Sequence, residues 1–128
     1  MNSQPLLRIV FAAIIAVALG ACAMYPKSGQ PALAGTWTNS YGTVWMLNAD
    51  GTFTVDLNKD GKPDVWGKYS VSGDEMTISE VKGKTPKSCR KPATYKFART
   101  GEKTLSFTLV KDSCKLRKQH ILAGWTAK

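Results

Sequence analysis

The chain has 128 residues, with 18 basic and 9 acidic side chains and a formal net charge of +9. That length allows one ordinary domain. One histidine and three cysteines exclude a metal centre built on several imidazoles, and no apolar run reaches the roughly 18–20 residues of a membrane-spanning helix.

The N-terminus reads as an export signal. Arg8 is the only charge before a run of eleven apolar residues, "IVFAAIIAVAL" (9–19), which exits through Gly20 and Ala21. Leu19-Gly20-Ala21-Cys22 resembles the lipobox of bacterial lipoproteins. The resemblance implies a signal peptide over residues 1–21, cleavage before Cys22, a diacylglyceryl group on its thiol and further acylation of the kind palmitate supplies. Several acyl chains, at about 0.8 kcal/mol per buried methylene, make a durable membrane anchor. Ala23 in place of Asp implies the outer membrane of a Gram-negative envelope, on its periplasmic or surface face. Removing residues 1–21 takes away one positive charge, that of Arg8.

Residues 22–34 are the lipidated N-terminus and a flexible linker, punctuated by Pro26, Gly29 and Pro31 and expected to hold the domain off the bilayer. Period-two alternation begins after it. Phe53, Val55 and Leu57 share one face, as do Val65, Gly67, Tyr69 and Val71; Met76 and Ile78; Tyr95 and Phe97; and Leu105, Phe107 and Leu109. Turn sequences "NADG", "SGDE" and "TGEK" join neighbours through short loops, which makes them antiparallel. The pattern predicts strands over 36–40, 43–48, 52–58, 64–72, 75–81, 93–99, 103–110 and 119–126. About eight antiparallel strands suit a small up-and-down barrel, all-β and closed on itself.

Gly35-Thr36-Trp37 at the first strand resembles the Gly-x-Trp opening of lipocalins, in which the Trp plugs one barrel end. The resemblance spans residues 35–126 of the barrel domain, which runs over 35–128, and implies an interior that takes a small apolar ligand. Trp37, Trp45, Trp66, Tyr69, Phe97 and Phe107 are the cavity candidates; the alternative is that side chains fill so small a barrel.

Cys89 and Cys114 remain for the fold, and an oxidising compartment predicts that they form a disulfide. Around them lie Lys82, Lys84, Lys87, Arg90, Lys91, Lys96 and Arg99, then Lys111, Lys115, Arg117 and Lys118. Such a face attracts anionic envelope polymers or lipid head groups; nucleic acid is not an expected partner outside the cytoplasm. The irregular loop 82–92 is the most basic stretch.

"DLNKDGKPD" places Asp56, Asn58, Asp60 and Asp64 at the spacing of a calcium loop, with Gly61 at the sharp turn. Gly67 stands where an EF-hand needs its bidentate Glu, so the expectation is a weak calcium site or a self-bonded polar turn. No nucleophile elbow, zinc-protease motif or phosphate loop occurs. His120 is alone in its segment and reads as a surface or edge-strand residue, so no enzyme is expected. The leading expectation is a lipid-anchored binding lipoprotein; the alternative is a hydrolase inhibitor (of a protease or lysozyme) acting through loop 82–92.

Overall fold

The computed structural model describes residues 25–128. Eight strands close into one antiparallel barrel: β1 (Gly35–Thr38), β2 (Val44–Leu47), β3 (Thr52–Asp56), β4 (Val65–Ser72), β5 (Glu75–Gly83), β6 (Ala93–Gly101), β7 (Thr104–Lys111) and β8 (Trp125–Ala127). Each strand pairs with the next, and β8 returns to β1 through Trp37↔Ala127 and Thr38↔Thr126. The alternation has its expected consequence. Trp37, Leu47, Met76, Ile78, Tyr95 and Leu105 point inward and are buried, while Lys68, Ser70, Lys96 and Thr108 face water. An apolar inside and a polar outside is the reverse of a membrane-spanning barrel.

One interruption re-aims a strand. Trp66 pairs with Lys82 and Lys68 with Ser79, so Gly67 alone faces both Glu80 and Val81. This bulge places Glu80 in a left-handed conformation (φ 51°) and turns Val81 into the core. Gly67 is required there: a Cβ would lie 2.8 Å from the Ser79 carbonyl oxygen and 2.9 Å from the Phe53 ring.

The two barrel ends differ. Short turns after β2, β4 and β6 gather at one end, which the chain's own N-terminal segment plugs. A 3-10 turn, Gln30–Ala32, leads into Leu33; Ala32 and Leu33 are fully buried. The Trp37 Nε1–H donates to the Leu33 carbonyl at 2.8 Å. The Arg99 guanidinium lies over the Trp37 ring, 5.2 Å from its centroid, and donates to the Ala32 carbonyl at 3.1 Å. It also covers the Tyr25 ring at 5.1 Å. The expectation of a flexible linker over 22–34 therefore fails for its second half. Two apolar side chains in that stretch gain more from covering the barrel end than from staying in water.

Longer connections (39–43, 57–64, 84–92 and 112–124) gather at the opposite end. The last of them carries helix α1 (Lys115–Ile121) where a strand over 119–126 was expected. Of that segment only Trp125 and Thr126 pair in the sheet, and β8 runs on to Ala127. Cys114 caps the helix, its Sγ accepting from the Arg117 N–H at 3.2 Å.

Candidate functional site

Helix α1 lies across the open end of the barrel as a cap. The Cys89–Cys114 disulfide holds it against a second 3-10 turn, Lys87–Cys89. Arg117 completes the attachment. Its Nε and Nη2 donate to the two Asp112 oxygens at 2.8 and 2.7 Å, and its Nη1 and Nη2 donate to the Cys89 and Lys91 carbonyls, each at 2.9 Å. The Tyr95 hydroxyl and the Cys114 N–H also donate to Asp112, whose side chain is 0% exposed. Burial works against the Asp112 charge, but the bonds from Arg117, Tyr95 and Cys114 outweigh it and hold the carboxyl below its usual range. Burial and the bond to Asp112 push the Tyr95 hydroxyl up, so it stays a donor.

Between cap and barrel is a cavity of about 80 Å³, lined almost wholly by apolar atoms. Trp45, Phe53, Val55, Val65, Ile78 and Val81 form its barrel wall. Leu116, Ile121, Trp125 and the disulfide come from the cap side, with Lys84 and Thr85 from the basic loop. Leu116 and Lys84 are exposed and mark the mouth. One water needs roughly 10–15 Å³ by the comparable measure, so an apolar group of several atoms can enter.

The wall has one polar corner. His120 sits on α1, half-buried; its Nδ1 is 2.7 Å from the buried Thr43 Oγ1, and its ring stacks on Tyr41 at 4.9 Å. Burial lowers its pKa, which favours the neutral imidazole. The expectation of a surface or edge-strand histidine is thus replaced by a helical one on the cavity wall.

Of the six aromatic candidates, only Trp45 lines this cavity. Trp37 belongs to the opposite plug, and Tyr69, Phe97 and Phe107 fill the core. Trp66 is 43% exposed on the outer wall, because alternation in β4 puts it on the same face as Lys68. Thr43, Leu57, Leu116, His120, Ile121 and Trp125 were not legible as cavity residues, since only the fold brings loop 39–43 and the α1 segment together.

The expected calcium loop lies beside this end. Carboxylate oxygens of Asp56, Asp60 and Asp64 come within 4.8 Å of one another, as a hard cation would require. The same oxygens already accept backbone N–H bonds. Asp56 accepts from Asn58 and Gly61, Asp60 from Lys62, and the buried Asp64 from Leu57 at 2.8 Å. The Asn58 side chain accepts from the Asp60 N–H at 3.3 Å. Slight desolvation opposes the Asp56 charge, and the donors of Gly61 and Asn58 outweigh it, so its carboxyl titrates low. These bonds account for the four residues as a self-contained turn. A held cation would raise the melting temperature at millimolar calcium and lose that effect in Asp60→Ala; a turn alone shows no calcium dependence.

No protein-family model matches this chain, and neither does any curated protein or solved structure compared with it.

Proposed function

We propose that this chain is a non-enzymatic, lipid-anchored envelope lipoprotein whose lipocalin-like barrel binds a small apolar ligand under its stapled cap. The cavity is the observation that carries the binding role. It is apolar and has a polar corner at Thr43 and His120, the ordinary make-up of a small-molecule site. The anchor rests on Leu19-Gly20-Ala21-Cys22, which lies outside the described residues.

Anchor and barrel fit together in a way the linker expectation did not foresee. Tyr25, three residues after Cys22, already packs under Arg99 at the plugged end. Three residues reach at most about 10 Å. Acyl chains on Cys22 therefore hold the plugged end near the bilayer and turn the cavity mouth and the basic loop away from it. The anionic partner suited to Lys84, Lys87, Arg90 and Lys91 is then an envelope polymer or a facing surface, not the anchoring membrane.

The decisive measurement is displacement of a neutral apolar fluorophore such as N-phenyl-1-naphthylamine, which has no charge to bind the basic loop. Binding is expected in the wild type, with at least a ten-fold loss in Val55→Trp, which fills the wall. No binding to the wild type rejects the ligand role. Mass spectrometry of protein from its native host checks the anchor: an acylated Cys22 at the N-terminus is expected, and a free thiol or an intact leader refutes it.

The connection 84–92, the part of the expected loop 82–92 that lies beyond β5, supports a second function, inhibition of a protease or lysozyme. It is exposed and basic, yet pinned by the disulfide, by Arg117 on the Cys89 and Lys91 carbonyls, and by the Ser113 hydroxyl on the Ser88 carbonyl at 3.0 Å. A rigid loop loses little entropy on docking. Nanomolar inhibition that disappears on cutting the loop, without fluorophore binding, favours this role over the first.

A further inference from the structure

The barrel is closed over only part of its height. Strand β7 pairs with β6 along its whole length, from Thr104 to Lys111, but with β8 only at Thr104 and Leu105. From Ser106 onward its second edge has no strand beside it among the described residues. Upstream of Trp125 the chain does not run on along β7; it turns at Gly124 (φ 80°) into the end of α1. Antiparallel pairing points the N–H and C=O of successive residues to opposite sides. The Lys103 carbonyl accepts from the Ala127 N–H on the β8 side, so Leu105, Phe107 and Leu109 turn their backbone groups to that side too. The facing strand agrees. Phe97, opposite Phe107, donates its N–H away from β7, to the Asp74 carbonyl at 2.8 Å. Leu105 meets Trp125, whereas Phe107 and Leu109 have no backbone partner there among the described residues.

This edge is open to water. Thr108, Leu109, Val110 and Lys111 are four exposed residues in a row. Leu109 is 41% exposed although it opposes Tyr95, an inward residue at 0%. The edge is also one-sided in charge. Lys111 opposes Thr94, which shares the outer face with Lys96, and Lys115 and Lys118 follow on α1. Lys96 faces Glu75 across β5. Between Lys103 and Lys128 the sole acid is Asp112, which Arg117 already holds.

We propose that the β7 edge at Phe107–Lys111 takes an extended segment of another protein as an added strand, one that alternates apolar and acidic side chains. Phe107 and Leu109 each offer an N–H and a C=O to it. The segment's apolar residues cover Leu109 on the inner face, and its carboxylates meet Lys111 and Lys96 on the outer one. A second copy of this chain would bring the same lysines to the seam, and like charges oppose that pairing. The inference does not need the cavity to hold a ligand.

The test follows amide hydrogen exchange in the full chain labelled with 15N, with three capped hexapeptides. One alternates valine and aspartate, one has lysine for each aspartate, and one is the aspartate peptide methylated at every backbone nitrogen. In the free chain Phe107 and Leu109 should exchange faster than Ser106 and Thr108, whose amides face β6. The aspartate peptide is expected to slow Phe107 and Leu109 by about ten-fold or more and to leave Ser106 and Thr108 unchanged, while the other two peptides do nothing. Leu109→Pro deletes an N–H aimed at the free edge, a place where strands tolerate proline, and should abolish the protection of Phe107. The proposal is overturned if Phe107 and Leu109 are already as protected as their neighbours in the free chain. It is equally overturned if about 1 mM aspartate peptide has no effect, or if the lysine or methylated peptide acts as well. Self-association that protects the same amides without peptide makes a second copy the occupant and also overturns it. The peptide comparison decides the matter even where the proline variant does not fold.

Discussion

Replacing Arg117 with methionine lowers the melting temperature by roughly 12–40 °C. Breaking a buried ion pair by removing one partner costs about 3–5 kcal/mol, and each kcal/mol shifts a domain of this size by about 4–8 °C. The premise is the environment of Asp112. Its side chain has no exposed surface, and Arg117 supplies two of its four donors. Methionine keeps much of the length and packing of arginine but leaves the carboxylate charged and dry. Adding Asp112→Asn should restore part of the loss, because the amide oxygen can still accept from the Cys114 N–H while its NH2 donates to the Tyr95 hydroxyl, without a charge to desolvate. The pH dependence has a definite sign. In the wild type the folded pKa of Asp112 lies below its unfolded value, near 3.9. Its stabilisation is therefore present above that unfolded value and is lost as pH falls through the folded one. Without Arg117 the carboxyl keeps only the Tyr95 and Cys114 donors against burial, so its folded pKa rises relative to the wild type and the variant's deficit should narrow as the solution is acidified. Thermal melts followed by circular dichroism at neutral and acidic pH measure both effects. A loss under about 5 °C at neutral pH would show that Arg117 is peripheral to the cap.

That network was invisible in the sequence, whereas the barrel was not. Alternation in stretches such as Phe53–Val55 and Tyr95–Phe97, with turn residues between, is local information, and the strands follow it closely. Trp66 shows how far the same rule reaches: it shares a face with Lys68 and Ser70, so period two sends it to solvent despite its size. The bulge at Glu80 and Val81 breaks the period, and only the cross-strand neighbours Gly67 and Phe53 explain where. Helix α1 escaped for a different reason. It has seven residues and buries only Ile121, so it shows no apolar stripe of helical period. Its cap is a disulfide sulfur, not a Ser, Thr, Asp or Asn, and its position is set by Cys89 and Asp112 from elsewhere in the chain. The cavity depends on that helix, so its lining could not be read before the helix was placed. The plug was hidden similarly: Ala32 and Leu33 sit among prolines and glycines that mark a linker, and only the barrel end they cover makes them core.

Reducing the Cys89–Cys114 disulfide costs about 3–4 kcal/mol, the loop-closure value for a separation of 25 residues. The eight strands do not need the bond for their pairing, so the reduced protein should retain its β spectrum at room temperature. The cap should not hold in the same way. Strand β8 has two register pairs with β7 and two with β1, and the chain reaches it only through α1. Both cysteines also line the cavity. Fluorophore affinity should therefore fall on reduction, and in Cys89→Ser with Cys114→Ser, before the barrel unfolds. Urea midpoints with and without a phosphine reductant give the stability term. An unchanged midpoint, or unchanged affinity in the reduced protein, would show that the staple does not organise the cap. The two attachments also couple. The disulfide acts mainly by restricting the unfolded chain, whereas Arg117 neutralises a buried charge in the folded one. Once the staple is cut and the cap loosens, water can reach Asp112, and losing Arg117 then costs less than it does in the oxidised protein. The combined loss from reduction and Arg117→Met should accordingly fall short of the sum of the two by about 1 kcal/mol or more, as expected of neighbours sharing one element.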